Sequence, residues 1–187
     1  MMNINVGISA RHLHLTTENL EQLFGKDFKL EKFKELNQKG EFASNSKVTL
    51  KTKKSFIEGV RVLGPTRKYT QVEISKTDSI KLGINPPVRT SGDIKESESI
   101  TIIGPIGQIT ITEGVIIANR HIHIEENNEY GLKPGDIVSV LVNGEKGGIL
   151  NNVLVRPGTK EFHIDTDDAN AFLIKNKNEV NIIKHEN

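Results

Sequence analysis

Ser9-Ala10-Arg11-His12-Leu13-His14-Leu15 returns later in the chain as Ala118-Asn119-Arg120-His121-Ile122-His123-Ile124. In an extended strand, side chains two apart lie on one face and the residues between them on the other. His12 and His14 therefore share a face, with Leu13 and Leu15 behind them. His121 and His123 share a face backed by Ile122 and Ile124. A motif that recurs with its flanking arginine and its aliphatic backing is the mark of an internal duplication. Weaker matches follow in the same order. Val60-Arg61-Val62 and Gly64-Pro65-Thr66-Arg67 correspond to Val153-Leu154-Val155 and Pro157-Gly158-Thr159-Lys160. Val72-Glu73-Ile74 corresponds to Phe162-His163-Ile164, and Lys76-Thr77-Asp78 to Thr166-Asp167-Asp168.

Alternation of apolar and polar residues continues through the chain. It predicts strands at 47–52, 60–63, 71–74, 100–103, 108–112, 136–142 and 153–155. Gly64-Pro65, Asn85-Pro86-Pro87, Gly104-Pro105, Lys133-Pro134-Gly135-Asp136 and Asn143-Gly144 read as turns between them. Helix is scarcer. Thr16 to Phe24 can make about two turns, starting from Thr-Thr-Glu-Asn and continuing through Leu20 and Leu23. A second short helix is expected at 30–38, and a third, capped by Asp167 or Asp168, running through Ala171 to Ile174. Short strands joined by Gly/Pro turns point to barrels or sandwiches. The expected fold is mainly β: two related β-barrel domains with short helices, divided at 1–92 and 93–187.

The 187 residues suffice to bury a core without covalent staples. The absence of cysteine excludes disulfides, thiolate zinc sites and a cysteine nucleophile. With 25 basic and 24 acidic residues the net charge is +1, so no nucleic-acid partner is expected. Met1 to Ile8 contains no basic segment followed by an apolar stretch, and no apolar run approaches the ~20 residues that span a bilayer. A cytoplasmic protein without a membrane partner is expected. Subunit number is not legible, and a homo-oligomer is compatible with the sequence.

One His-x-His on a strand is more often a solvated face than a metal site. Here it occurs twice at matching places and accounts for four of the six histidines. Paired neutral imidazoles on a rigid strand are well placed to chelate a transition metal. Each half also offers a third ligand: Glu73 in the first and, at the aligned place, His163 in the second. The sets are His12, His14, Glu73 and His121, His123, His163. Three protein ligands with open positions suit a catalytic rather than a structural zinc. The alternative for Glu73 is a surface carboxylate, and His185 reads as a solvated residue of a polar tail. Arg67 ends the Gly-Pro-Thr turn, and its planar fork suits phosphate oxygens. Lys54, Arg61, Arg11 and Arg120 are further cations near these segments. Each taken singly reads as an ordinary surface charge, least so Arg11 and Arg120, which directly precede the histidines.

These residues resemble the PduL-type family of phosphate propanoyltransferases (phosphotransacylases). The shared patterns are Gly7 to Leu15; Arg61 to Arg67 with Thr70 to Ile74; Pro87-Val88-Arg89-Thr90-Ser91-Gly92-Asp93-Ile94; and Arg120 to His123. They cover nearly the whole chain. The resemblance implies two β-barrels with a two-zinc site between them, two zinc ions per chain, and transfer of a propanoyl or acetyl group between coenzyme A and phosphate to give acyl phosphate. It implies zinc ligands at the same two sets of residues, phosphate on Arg67, and coenzyme A contacts at Ser9, Ala10, Arg11, Lys54, Arg61 and Asn170. Its expected small-molecule partners are coenzyme A, acyl-CoA, phosphate and acyl phosphate. Members that enter bacterial microcompartments carry an amphipathic extension ahead of the first motif, whereas here that motif starts at Gly7. The ligand sets alone also admit a two-metal hydrolase or a non-catalytic metal-binding β-barrel module. A requirement for coenzyme A would separate the first of these from a transacylase, and exchangeable water on the metals would separate the second.

Overall fold

In a computed structural model that describes residues 2–184, the chain forms two compact units. His185 lies outside the described residues. Unit 1 comprises Met1–Ala10, Asn37–Lys39 and Asn119–Asn187; unit 2 comprises Arg11–Leu36 and Gly40–Ala118.

Unit 1 is a closed six-stranded barrel built from β1 (Met2–Ser9), β13 (Glu161–Asp165), β10 (His121–Ile124), β12 (Gly148–Pro157), β11 (Ile137–Val142) and β14 (Glu179–Ile183), in that order. Antiparallel pairing of β14 with β1 closes the ring. The helix α3 (Thr166–Ala171) follows β13. Alternation places Ile122, Ile124, Val153, Val155, Phe162 and Ile164 inside, each no more than 3 % exposed.

Unit 2 carries a second six-membered ring. Its neighbours are β4 (Phe42–Lys51), β5 (Phe56–Gly64), β2 (His12–His14), β6 (Gln71–Glu73), β9 (Gln108–Ala118) and β8 (Glu98–Ile103), and β8 returns to β4. The short strands β3 (Lys32–Glu35) and β7 (Val88–Arg89) add to β4 and β9. Two helices belong here, α1 (Thr17–Phe24) and α2 (Lys76–Leu82). Leu13, Leu15, Val62, Val72 and Ile102 fill this barrel.

The repeat and the compact units do not coincide, so the expected division at 1–92 and 93–187 is corrected. β1 leads into the first His-x-His but pairs in parallel with β13, in unit 1. β9 leads into the second His-x-His but pairs in parallel with β6, in unit 2. Each barrel thus includes strands from the other repeat, β1 in unit 1 and β8 and β9 in unit 2. The alternating pattern of a strand shows which face is apolar but not which sheet receives it.

Helices needed further correction. The segment 30–38 is not helical: Lys32–Glu35 is the antiparallel edge strand β3. Its Lys and Glu favour helix intrinsically, but pairing with β4 outweighs that weak preference. α3 is capped by Asp165, not by Asp167 or Asp168; the Asp165 side chain accepts from the Asp168 backbone N–H. α2 was not expected. It has a capping box in which Ser75 and Asp78 exchange hydrogen bonds. α1 lies where expected, with Thr16 accepting from the Asn19 backbone N–H and Leu20 and Leu23 turned into the core. No helix among the described residues is long and apolar enough to cross a membrane.

Candidate metal centres and their surroundings

In unit 2, β2 lies between β5, parallel to it, and β6, antiparallel. The register sets His12 opposite Glu73 and His14 opposite Gln71. Leu13 is fully buried on the other face, which holds the strand firmly. His12 Nε2 stands 3.5 Å from Glu73 Oε2, and the two imidazoles meet edge to face at 5.5 Å. His12, His14 and Glu73 each offer a ligand atom within 4.8 Å of the others. His14 is 2 % exposed, yet its Nδ1 has no hydrogen-bond partner. An unsatisfied buried nitrogen costs about 1–3 kcal/mol, a cost that coordination to a cation would remove. Burial, assisted by His12 and by the Arg67 cation, pushes the His14 pKa down to about 2, so the ring is neutral. Neutral imidazole is the metal-binding form.

Unit 1 repeats the arrangement. β10 runs parallel to β12 and antiparallel to β13, with His121 opposite His163 and His123 opposite Glu161. The three imidazoles form a triangle with centroids 4.9 to 5.0 Å apart, and their ligand atoms also fall within 4.8 Å of one another. Nδ1 of His121 lies 2.8 Å from the Asn119 carbonyl, and Nδ1 of His123 lies 2.8 Å from the Pro157 carbonyl. A carbonyl only accepts, so each Nδ1 carries the proton and each Nε2 presents its lone pair. Burial lowers the His121 pKa to about 3 against the opposing pull of that hydrogen bond. Both donor sets, imidazole with at most one carboxylate, suit a first-row divalent ion with coordination positions left open.

Arg67 is fixed beside the unit 2 set. Its backbone N–H donates to the Leu15 carbonyl at 2.9 Å, immediately after the His-x-His strand. Its guanidinium donates to Glu41 Oε1 at 2.6 Å and to Ser91 Oγ at 3.3 Å. Gly64 opens the turn because a Cβ there would lie 2.2 Å from the Phe42 ring. Lys160, the counterpart of Arg67 in the second repeat, is instead paired with Glu129 and lies over the Tyr130 ring.

Arg11 and Arg120 turn out to be twins. Arg11 grips Asp78 through Nε at 2.9 Å and a terminal nitrogen at 2.7 Å. Arg120 grips Asp168 through the same two positions, both at 2.7 Å. Asp78 and Asp168 each stand in the first turn of the helix that follows Glu73 or His163. Both forks thus tie a His-x-His strand to a helix N-terminus. The other residues that the resemblance implied for coenzyme A occupy separate places. In unit 2, Lys54 Nζ donates to the Ile80 carbonyl near the end of α2, and Arg61 donates to the Ser44 carbonyl while lying 4.9 Å over the Phe33 ring. In unit 1, Ser9 ends β1, Ala10 is exposed, and Asn170 is exposed on α3.

The sequence reading overlooked several residues around these sets. Gln71 and Glu161 stand two before Glu73 and His163 on the same strand faces, and alternation could have found them. Glu41 and Ser91 carry no comparable signal, because only folding brings them to Arg67. Arg156, which opposes His123 and helps hold the His121 pKa down, is likewise a tertiary neighbour.

A family model described as phosphate propanoyltransferase matches residues 5–175. A phosphate propanoyltransferase of Thermotoga maritima is 48% identical over 187 residues, covering 97% of this chain and 89% of the relative. One of Priestia megaterium is 52% identical, covering 91% and 81%. One of Lachnoclostridium phytofermentans is 51% identical, covering 90% and 81%.

Proposed function

The chain belongs to the phosphate propanoyltransferase family, and from that premise we propose that it exchanges an acyl group, propanoyl or acetyl, between coenzyme A and inorganic phosphate with zinc in both three-ligand sets. The observation that carries the metal assignment is the unpartnered, buried and neutral His14 Nδ1 inside a converging cluster. Zinc bound at His12, His14 and Glu73 would supply Lewis-acid stabilisation of a developing thiolate.

The chain's own residues account for the rest. Arg67, its guanidinium held from behind by Glu41 and Ser91, orients phosphate oxygens through its remaining N–H groups. A phosphate oxygen attacks the thioester carbonyl carbon, the C–S bond breaks, and coenzyme A leaves as thiolate. Phosphate is a competent nucleophile near neutral pH, and the chain has no cysteine to intervene. Direct transfer in a ternary complex follows, without an acyl-enzyme. Acceleration then comes mainly from positioning and from fixed charge. For coenzyme A the proposed contacts are Arg11, Lys54 and Arg61 of unit 2 and Ser9, Ala10 and Asn170 of unit 1. The expected site is cytoplasmic.

The deciding experiment supplies acetyl-CoA, propanoyl-CoA and longer thioesters with phosphate, and follows free thiol and acyl phosphate together. Equal formation of both supports transacylation. Thiol release with free acid, or acid release without any coenzyme A requirement, would instead make the protein a hydrolase.

A further inference from the structure

Each third ligand has a polar neighbour two residues earlier on the same strand face. Gln71 precedes Glu73 in β6, and Glu161 precedes His163 in β13. The two neighbours occupy equivalent places, since Gln71 is opposite His14 and Glu161 is opposite His123. Each touches its third ligand. Gln71 Nε2 donates to Glu73 Oε1 at 2.6 Å, and Glu161 Oε2 lies 2.6 Å from His163 Nε2.

The chemistry of the two contacts is opposite. Gln71 is fully buried, and its amide can be oriented without ambiguity, because Oε1 accepts from the Gly92 backbone N–H at 2.7 Å. Its NH₂ therefore faces Glu73 and Ser91. An NH₂ group only donates, so it complements a carboxylate ligand. Glu161, by contrast, is an acceptor that faces an imidazole. Gly7 makes room for it, since a Cβ there would lie 2.7 Å from the Glu161 carboxyl carbon. The hydrogen bond puts the His163 proton on Nε2 and leaves the lone pair on Nδ1, the reverse of His121 and His123.

We propose that Gln71 and Glu161 are matched positioning residues for the metal, an amide donor where the third ligand is a carboxylate and a carboxylate acceptor where it is an imidazole. Each second position is set by the identity of its own ligand, so ligand and partner can be exchanged between units only as a pair. This inference rests on the proposal that both sets hold zinc. Partners of this kind fix the orientation of a ligand and typically alter metal affinity 10–100-fold when lost.

The test uses full-length apoprotein, zinc as the probe, and competition with a chromophoric chelator to obtain two dissociation constants. Glu73→His alone places an imidazole against an amide donor, and should weaken one site about 10–100-fold. Gln71→Glu alone sets two carboxylates against each other and should weaken the same site. The double substitution Gln71→Glu/Glu73→His should recover most of the loss. Gln71 is buried, so a charge there could impair folding. The reciprocal pair Glu161→Gln/His163→Glu in the less deeply buried β13 positions repeats the test in unit 1, against Glu161→Gln and His163→Glu singly. Imidazole ¹⁵N shifts supply a reading that mere structural support would not move: His163 should be protonated at Nε2 in the native chain and lose that bias in Glu161→Leu. Double variants no tighter than their singles, or a His163 protonated at Nδ1, would overturn the inference while leaving the two-metal reading intact. A native protein that binds no zinc would overturn both.

Discussion

Replacing Arg67 by lysine probes the phosphate assignment with little change of charge. The guanidinium has five N–H donors in a rigid plane. One is directed at Glu41 and one at Ser91, which leaves three for an anion. A lysine ammonium has three donors in all, on a flexible stem and without a fork. Keeping the Glu41 ion pair leaves it at most two donors, in no fixed plane, and the Ser91 contact is lost. The expected deficit is one charge-assisted hydrogen bond, about 1.5–3 kcal/mol, hence a loss on the order of 10–100-fold. Initial rates with phosphate varied at saturating acyl-CoA would show a raised phosphate Michaelis constant or a depressed turnover. Metal content and the Michaelis constant for acyl-CoA should hardly move, because none of the contacts made by Arg67 reaches a ligand side chain directly. Glu41→Gln should produce a milder defect of the same kind, by loosening the guanidinium without removing it. The reasoning fails if Arg67→Lys sheds metal or weakens acyl-CoA as much as phosphate. It fails equally if the variant is kinetically silent.

Three other outcomes follow from the geometry. Protein purified without chelator should contain about two first-row metal ions per chain by elemental analysis, most simply zinc, and chelation should abolish transfer reversibly; full activity without metal would refute the site. The apoprotein should lose stability as pH falls below about 6.5. His14 and His121 titrate near 2 and 3 when folded but near 6.5 when unfolded, so only the unfolded chain gains their protons in that window. The loss between pH 6.5 and 5 should reach about 3 kcal/mol by denaturant titration, shared about equally because neither folded imidazole takes up a proton there, and a flat profile would contradict the burial argument. Asp78→Ala removes both a helix capping box and the partner of Arg11. It should destabilise by about 2–3 kcal/mol and lower the melting temperature by roughly 5–10 °C, whereas an unchanged melting curve would show that the twin arginine clamps are ornamental.

The candidate metal sets were legible in the sequence because they depend on a local rule. Side chains two apart on a strand share a face whatever the strand pairs with, and a duplication supplies the second example against which the first is read. His12, His14, His121 and His123 follow from that rule, as does the mainly β character of the fold, and Glu73 and His163 follow from aligning the two repeats. The same rule could not assign β1 and β9 to barrels. Both present an apolar face that either barrel would accept, and only the parallel pairings with β13 and β6 decide between them. It misjudged Lys32–Glu35, whose helix-favouring residues become an edge strand once β4 is alongside. Nor could it tell that Arg11 and Arg120 clamp helix N-termini, or that Glu41 and Ser91 meet Arg67, for those partners are far apart in the chain. Spacing along one strand determines which groups share a face. Which distant charge or hydrogen-bond donor stands opposite them is a property of the packed barrels, and it is there that the orientation of each ligand and of the arginine fork is settled.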